Sequence, residues 1–373
     1  MVHIIFVMRI KRSTKCSLSF ATATKRSTLD CVLIEYGRVV NLFIDIFWPV
    51  APSKATILAP IVNAPQTWIS HRLRKVAARE AVDMINAAIK RWGDEAVKPI
   101  HRGRCMTCSS TIANLKSAKN ATGFDFWLHL NSIGEKIILD LPLRSHRHLQ
   151  KLESRGRRQA WYVITRDYVQ FSYEIETGSK KEVHSAVGVD TGINVLASLD
   201  TGEQFGTDVK GCIERIKRCE HGSKGQQRAR RALRQRIDEV AKQVVQKADL
   251  IVVENLKGIT KNTKVKRRLT KNMRRSIGSW NVRYWLTRLQ QRCEDNRVTF
   301  RSVASFYTSQ TCPACNHVDR GNRQSEEFSC RKCGYSGNAD VTAAKNILRR
   351  FLTGPYGAGF KSRIESGFLT ALV

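Results

Sequence analysis

The sequence predicts an α/β multidomain chain. Buried, strand-like apolar runs at 186–189, 195–199 and 249–253 are separated by helix-like stretches, and the first and last run straight into an acid. Alternating apolar and polar residues mark much of the N-terminal half, interrupted by a helical pattern. Near the C-terminus four cysteines stand as two close pairs, Cys312-Pro-Ala-Cys315 and Cys330-Arg-Lys-Cys333, with fourteen residues between them. At 373 residues there is room for two or three domains with proper cores.

Taken in order, the first forty residues alternate and read as β-structure. The opening Val-His-Ile-Ile-Phe-Val-Met is too short, before Arg9 and Lys11, for a signal or a membrane span. Residues 39–62 are apolar in patches, but Asp45, Pro49, Pro52, Lys54 and Pro60 interrupt them, so no bilayer crossing is expected. Ala78, Val82, Ile85, Ile89 and Trp92 recur every three or four positions as one helix face, with Arg79, Asp83, Asn86 and Lys90 outside. Strands resume at 125–130, 136–141 and 161–164, and Val169, Phe171 and Tyr173 alternate as a half-buried fourth.

The character changes near 184. Ala186-Val-Gly-Val-Asp190-Thr-Gly192 reads as a buried strand ending in a carboxylate and a turn, and Val195–Leu199 follows as a second strand. Residues 226–248 predict a helix with Ala229, Leu233, Ile237, Val240, Val244 and Ala248 on one side and Arg228, Arg230, Arg231, Arg234 and Arg236 on the other. Another buried strand, 249–254, ends in Glu254. A basic run over 257–275 precedes a helix with Trp280, Tyr284 and Trp285, then a strand at 298–304. After the cysteine pairs, a helix opens at Asp340, and the residues from Phe351 read as a loose tail.

Charge narrows the function. Lys and Arg number 64 against 32 Asp and Glu, a formal net charge of +32. Spread over most of the chain, this favours a long polyanion over one membrane-facing patch. A packaging protein would share the charge but does not explain acids at the ends of buried strands. Eleven cysteines in this length is not disulfide density. A reducing, cytoplasmic setting is the default expectation, and there paired cysteines mean metal.

Two Cys-x-x-Cys pairs joined by a loop of this length fit a closed, structural tetrahedral zinc site formed by Cys312, Cys315, Cys330 and Cys333. Cys105-Met-Thr-Cys108, with His101 near, has the same pair spacing but no clear fourth ligand; Cys212, Cys219 and Cys293 read as ordinary thiols. Asp190, Glu254 and Asp340 are the candidate catalytic acids. An open sheet gathers strand ends at one rim, so distant residues can meet there. Converging carboxylates repel, and Mg2+ relieves the repulsion. Two such ions about 3.5–4 Å apart can activate water and stabilise the leaving oxygen of a phosphodiester. Duller readings stand beside each: Asp340 as a helix N-cap, Glu254 as a structural ion-pair partner. Asp-Thr-Gly, at Asp190 and again at Asp200, is also an aspartic-protease signature, but ten residues of hairpin cannot place the two on separate lobes.

Together, Val187-Gly-Val-Asp190-Thr-Gly-Ile, Ile251-Val-Val-Glu254-Asn-Leu, Tyr307-Thr-Ser-Gln-Thr-Cys312-Pro-Ala-Cys315 and Cys330-Arg-Lys-Cys333-Gly-Tyr followed by Asn338-Ala-Asp340-Val-Thr-Ala-Ala-Lys-Asn346-Ile resemble the TnpB (OrfB-type) transposon-encoded RNA-guided nucleases and their relatives, the miniature type V CRISPR effectors. The resemblance covers roughly residues 184–350. It implies an RNase H-like RuvC nuclease domain with an inserted zinc ribbon, preceded by a β-barrel wedge domain that carries a helical recognition insertion. The implied boundaries are a wedge barrel over 1–52 and 120–183, the helical insertion over 53–119, the nuclease over 184–311, the ribbon over 312–337, a last nuclease helix over 338–350 and a tail over 351–373. Asp190, Glu254 and Asp340 fall on the family's three catalytic positions, with none replaced. Asn316 stands where glycine commonly follows the second cysteine, and Asn tolerates the left-handed backbone needed there.

The implied activity is Mg2+-dependent cleavage of double-stranded target DNA beside a short motif, with a guide RNA as partner and zinc as structural metal. In the basic run, Lys264, Lys266, Arg267, Arg268, Lys271, Arg274 and Arg275 would contact phosphates and position the strand. Neutralising about eight phosphates would make affinity fall as roughly the seventh power of salt concentration. Trp280, Tyr284 and Trp285 could stack bases or fill a core. Alternatives of other classes are a catalytically idle RNA-guided DNA-binding regulator and a guide-independent RuvC-like nuclease. Both monomer and homodimer are compatible with the sequence.

Overall fold

The computed structural model describes residues 8–48, 57–118, 123–256 and 270–354. The strand expected at the opening seven residues, Lys264, Lys266, Arg267 and Arg268 of the basic run, and the tail from 355 lie outside them. The described residues divide into two compact units, Arg9–Glu176 and Thr177 onward, with Met8 in the latter.

The first unit runs β1 (Met8–Ser17), α1 (Ala23–Phe47), α2 (Ala59–Asn63), α3 (His71–Trp92), β2 (Cys105–Ser109), β3 (Ala113–Ser117), β4 (Phe126–Leu130), β5 (Leu139–Leu143), α4 (Arg147–Glu153), β6 (Arg157–Thr165) and β7 (Tyr168–Thr177). Its strands form two sheets, β1-β7-β6-β2 and β3-β4-β5. Among the described residues, the β-structure expected for the first forty residues is confined to Met8–Ser17. From Ala23 the chain is helical, capped where Thr22 Oγ1 accepts the Lys25 N–H at 3.4 Å. Its many Val, Ile, Leu and aromatic residues suit strands one by one. Leu29, Val32, Tyr36, Val40, Phe43 and Phe47, however, recur every three or four positions, and all are buried, packing α1 on α3. The 53–119 stretch, expected to be helical, holds β2 and β3 as well as α2 and α3. On α3 the expected face is buried at Ala78, Val82 and Ile85, whereas Ile89 and Trp92 run out into solvent.

The second unit runs β8 (Ala186–Asp190), β9 (Ala197–Leu199), β10 (Gln204–Phe205), α5 (Val209–Arg218), α6 (Lys224–Val244), β11 (Leu250–Glu254), α7 (Lys271–Ser279), α8 (Val282–Asp295), β12 (Thr299–Val303), a small β13 (Arg323–Gln324)–β14 (Glu327–Ser329)–β15 (Ser336–Asn338) sheet, and α9 (Ala339–Thr353). Helix α9 therefore outruns the expected end at 350, and Phe351 is buried in the core.

The main sheet has the order β10-β9-β8-β11-β12. β8, β11 and β12 are parallel, and β9 and β10 fold back antiparallel at one edge. All of β11 is buried, as a central strand covered on both faces should be. Its side chains alternate. Ile251 and Val253 join the core with α5, α6 and α8, while Leu250 and Val252 pack against Ile347 and Phe351 of α9. Gly188 lets α9 sit directly on β8: a Cβ there would lie 2.2 Å from the Ala344 carbonyl oxygen.

Candidate metal centres

The period-two alternation that builds the core also aims the acids. Asp190 shares parity with Ala186 and Gly188, and Glu254 with Leu250 and Val252, so both project on the α9 face. Val189 pairs with Val253, so Asp190 and Glu254 stand one step further along neighbouring parallel strands. Asp340 lies in the first turn of α9 on that same side. It is not the cap: Asn338 Oδ1 accepts the N–H groups of Asp340 and Val341, each at 3.0 Å, leaving the Asp340 carboxylate for other partners.

The Asp190 carboxyl registers the meeting. Burial first, then the charges of Glu254 and Asp340, push it up to about 7. Glu254 is 9% exposed and also shifted upward by burial, against the pull of the Thr308 hydroxyl and the Arg350 and Arg323 charges. Instead of the lysine partner considered for Glu254, the side chain of Thr308 donates a hydrogen bond to Glu254 Oε1. Asn346 of α9 fixes that threonine's loop, donating to the carbonyls of Thr308 at 2.8 Å and Thr311 at 2.6 Å. Arg323, on the small sheet, donates to Asp340 Oδ1 at 2.6 Å and supplies positive charge beside the acids. Thr308 lies in the motif that opens at Tyr307 but was given no role there, and Arg323 escaped the sequence reading as one of 64 basic side chains.

The flanking residues brace the site. Trp285 is fully buried and its Nε1–H donates to Thr191 Oγ1 at 3.1 Å, tying the residue after Asp190 to α8. Trp280 is in the same core, and Tyr284 donates to Asp238 at 3.0 Å. These aromatics are structural, and the base-stacking reading of them is withdrawn. The second Asp-Thr-Gly is a hairpin device, since Asp200 Oδ1 accepts the Gly188 N–H at 2.8 Å. From the basic run, Lys271 opens α7, and Arg274 and Arg275 are exposed, with Arg275 reaching the Lys217 carbonyl at 2.9 Å.

The four cysteines form a separate, closed site. Their sulfurs all lie within 4.8 Å of one another, with Cys312 to Cys333 and Cys315 to Cys330 both at 3.6 Å. A tetrahedron with Zn–S bonds of about 2.3 Å has edges of about 3.8 Å, so the spacing fits that ion. Both knuckles use one turn. The Asn316 N–H reaches the Cys312 carbonyl and the Gly334 N–H the Cys330 carbonyl, each at 3.0 Å, with φ of 60° and 75°. Asn316 thus adopts the expected left-handed backbone.

The second Cys-x-x-Cys, for which the sequence offered no fourth ligand, does not bring its two sulfurs together. Cys105 and Cys108 are three apart on β2, which sends them to opposite faces, and Cys108 is wholly buried. Cys105 instead clusters with His101 and Glu80. There the Gly103 N–H points at His101 Nδ1 (3.2 Å), so the ring proton sits on Nε2, toward Glu80 Oε1 at 3.4 Å. Cys293 is buried and its thiol pushed up to about 12 by burial, an inert core cysteine.

The strand ends that carry the acids and the four-cysteine cluster lie in one unit of mixed α/β build. Within it, the resemblance to TnpB and the miniature type V effectors holds. Residues 284–347 match the family model "Cas12f1-like, TNB domain". The chain is 40% identical over 79 residues to the CRISPR-associated endodeoxyribonuclease Cas12f1 of Sulfoacidibacillus thermotolerans, covering 20% of this chain and 19% of that protein. It is 31% identical over 133 residues to the TnpB-like protein aq_aa05 of Aquifex aeolicus (strain VF5), covering 34% and 42%. The matched stretches thus span less than half of these relatives. The fold is similar to that in a Cas12f1-sgRNA-target DNA complex, with a TM-score of 0.56 and 13% identity over 88% of this chain and 83% of the other. Among the described residues no helix is long and apolar enough to cross a membrane.

Proposed function

We propose that this chain is an RNA-guided DNA endonuclease that hydrolyses target phosphodiester bonds with Mg2+ held by Asp190, Glu254 and Asp340. One observation carries the reading: Asp190 and Glu254 stand side by side at the ends of neighbouring parallel strands, with Asp340 in the first turn of the helix packed on that face. Such a site offers only oxygen ligands, which suits a hard divalent cation. When bound, Mg2+ would supply Lewis-acid stabilisation of the attacking and leaving oxygens of an in-line displacement. Asp190 and Glu254 would form the rigid floor of the site, set by neighbouring strands. Asp340 would close it from α9. Thr308 would hold Glu254 in one rotamer, and Arg323 would be free to pass from the Asp340 carboxylate to a phosphate oxygen.

On this reading the unit from Thr177 onward is an RNase H-like RuvC nuclease, with its zinc ribbon between β12 and α9. The first unit is a wedge domain with a helical recognition insertion, and a guide RNA selects the DNA by base pairing. The names of the relatives and the net charge of +32 support these partners. The experiment is to sequence RNA that co-purifies with the protein, then offer a plasmid matched to it in Mg2+. Cleavage by the wild type and none by Asp190→Ala supports the proposal. Bound RNA without cleavage favours the idle regulator, and cleavage without RNA favours a guide-independent nuclease.

A further inference from the structure

The loop that carries Thr308 also carries the two most exposed aromatic side chains described in the second unit. Phe306 is 73% and Tyr307 61% exposed, and neither ring has an aromatic or cationic partner among the described residues. Solvent-facing aromatics are ordinary when isolated. Here they are adjacent, and their loop wraps an acid of the candidate catalytic site. β12 ends at Val303, paired with Glu254, and the chain returns to Glu254 at Thr308.

The loop is held in shape. Tyr307 has φ of 59°, a left-handed conformation that bulky residues avoid. Its carbonyl accepts the N–H groups of Gln310 and Thr311, both at 3.0 Å, and the Thr311 hydroxyl at 2.7 Å. Asn346 clamps the following turn, and Arg350 donates to the Ala304 carbonyl at 2.6 Å. A strained, clamped backbone that presents aromatic rings to water rather than to the core points to a ligand with flat faces.

We propose that Phe306 and Tyr307 form a base-stacking subsite for single-stranded DNA entering the acid centre. This rests on the proposed nuclease reading for its biological sense. Stacking on aromatic rings tolerates any base, as a strand selected elsewhere by a guide requires. It would also hold an unpaired strand in register beside Glu254, where neighbouring cations hold only its phosphates.

The test is a binding measurement, so it stands whether or not the protein cuts. The full zinc-loaded chain is titrated, in Mg2+-free buffer, with a single-stranded oligodeoxynucleotide carrying one 2-aminopurine. Wild type is expected to quench the probe on binding. Phe306→Ala combined with Tyr307→Ala is expected to abolish the quench and weaken binding on the order of tenfold or more. The salt dependence should not change, because no phosphate contact is lost. Arg274→Ala with Arg275→Ala should do the reverse, keeping the quench and lowering the salt slope. Unquenched wild type, or a double variant that quenches like wild type, overturns the proposal. Should the double variant lose its zinc, photocrosslinking of wild type to a 5-iodouracil oligonucleotide decides: crosslinks in 305–308 support the subsite, and crosslinks only elsewhere overturn it. Tighter binding and stronger quenching of the matching RNA strand would overturn the assignment to DNA.

Discussion

Two centres of opposite build share the unit that begins at Thr177. The cysteine knot draws its ligands from residues 312–333, and two copies of one turn set its geometry. The acid centre draws on Asp190, Glu254 and Asp340, spread over 150 positions, and nothing local brings them together. In the knot, soft thiolates around a single point leave no open position. At the sheet rim the three acids present hard carboxylate oxygens, and these are not all within the 4.8 Å that unites the sulfurs. The first arrangement suits a staple. The second suits a reaction in which charge must be met by something that arrives.

The comparison breaks most sharply if the acids are replaced. With a guide-matched plasmid, Asp190→Ala and Glu254→Ala are each expected to lower the cleavage rate by about a thousandfold or more, since several kcal/mol of stabilisation is removed at about 1.4 kcal/mol per factor of ten. Cys330→Ala should act differently. It removes a ligand from the staple, so bound zinc falls below one per chain by atomic absorption and the ribbon loses protease resistance, while α6 and the main sheet stay folded.

Thr308→Val should fall between these. Deleting the hydroxyl leaves Glu254 in place without its partner, so cleavage or Mg2+ affinity should drop about ten- to a hundredfold, and Thr308→Ser should recover most of it. Unchanged zinc content would separate this effect from damage to the ribbon.

Smaller still is the pH effect on the metal-free fold. The Asp190 carboxyl titrates near 7 when folded, against an ordinary 3.8. The folded chain therefore holds a proton that the unfolded chain releases between those values. This contribution to stability is lost as pH rises from about 4 to 7 and then levels off. Melting followed by circular dichroism should show metal-free wild type weakening through that window. Asp190→Asn should remove this part of the fall and stabilise the protein at pH 8 by up to a few kcal/mol.

How much of this was legible beforehand follows the same divide. Short-range spacing announced the cysteine knot, and the family resemblance pointed to the left-handed backbone at Asn316. The strands ending in Asp190 and Glu254 could be read because both faces of a central strand are buried, which writes a continuous apolar run. The helix from Ala23 to Phe47 was misread because its Val, Ile and aromatic residues favour strands locally, while its packing on α3 decides the outcome. Trp280 and Trp285 could not be told from stacking platforms, because helical spacing says which side a ring faces but not what covers it. Phe306 and Arg323 left no pattern, and Tyr307 and Thr308, though inside the motif that carries the family resemblance, had no role assigned by it. Their roles come from where the chain returns after β12 and where the small sheet sets its edge.

The most direct test of the acid centre is a calorimetric titration of the zinc-loaded, Mg2+-free protein with Mn2+ at pH 8. Wild type should bind the ion, whereas Asp190→Asn and Glu254→Gln, still folded and still carrying zinc, should lose that binding. Equal Mn2+ affinity in all three proteins would contradict the account.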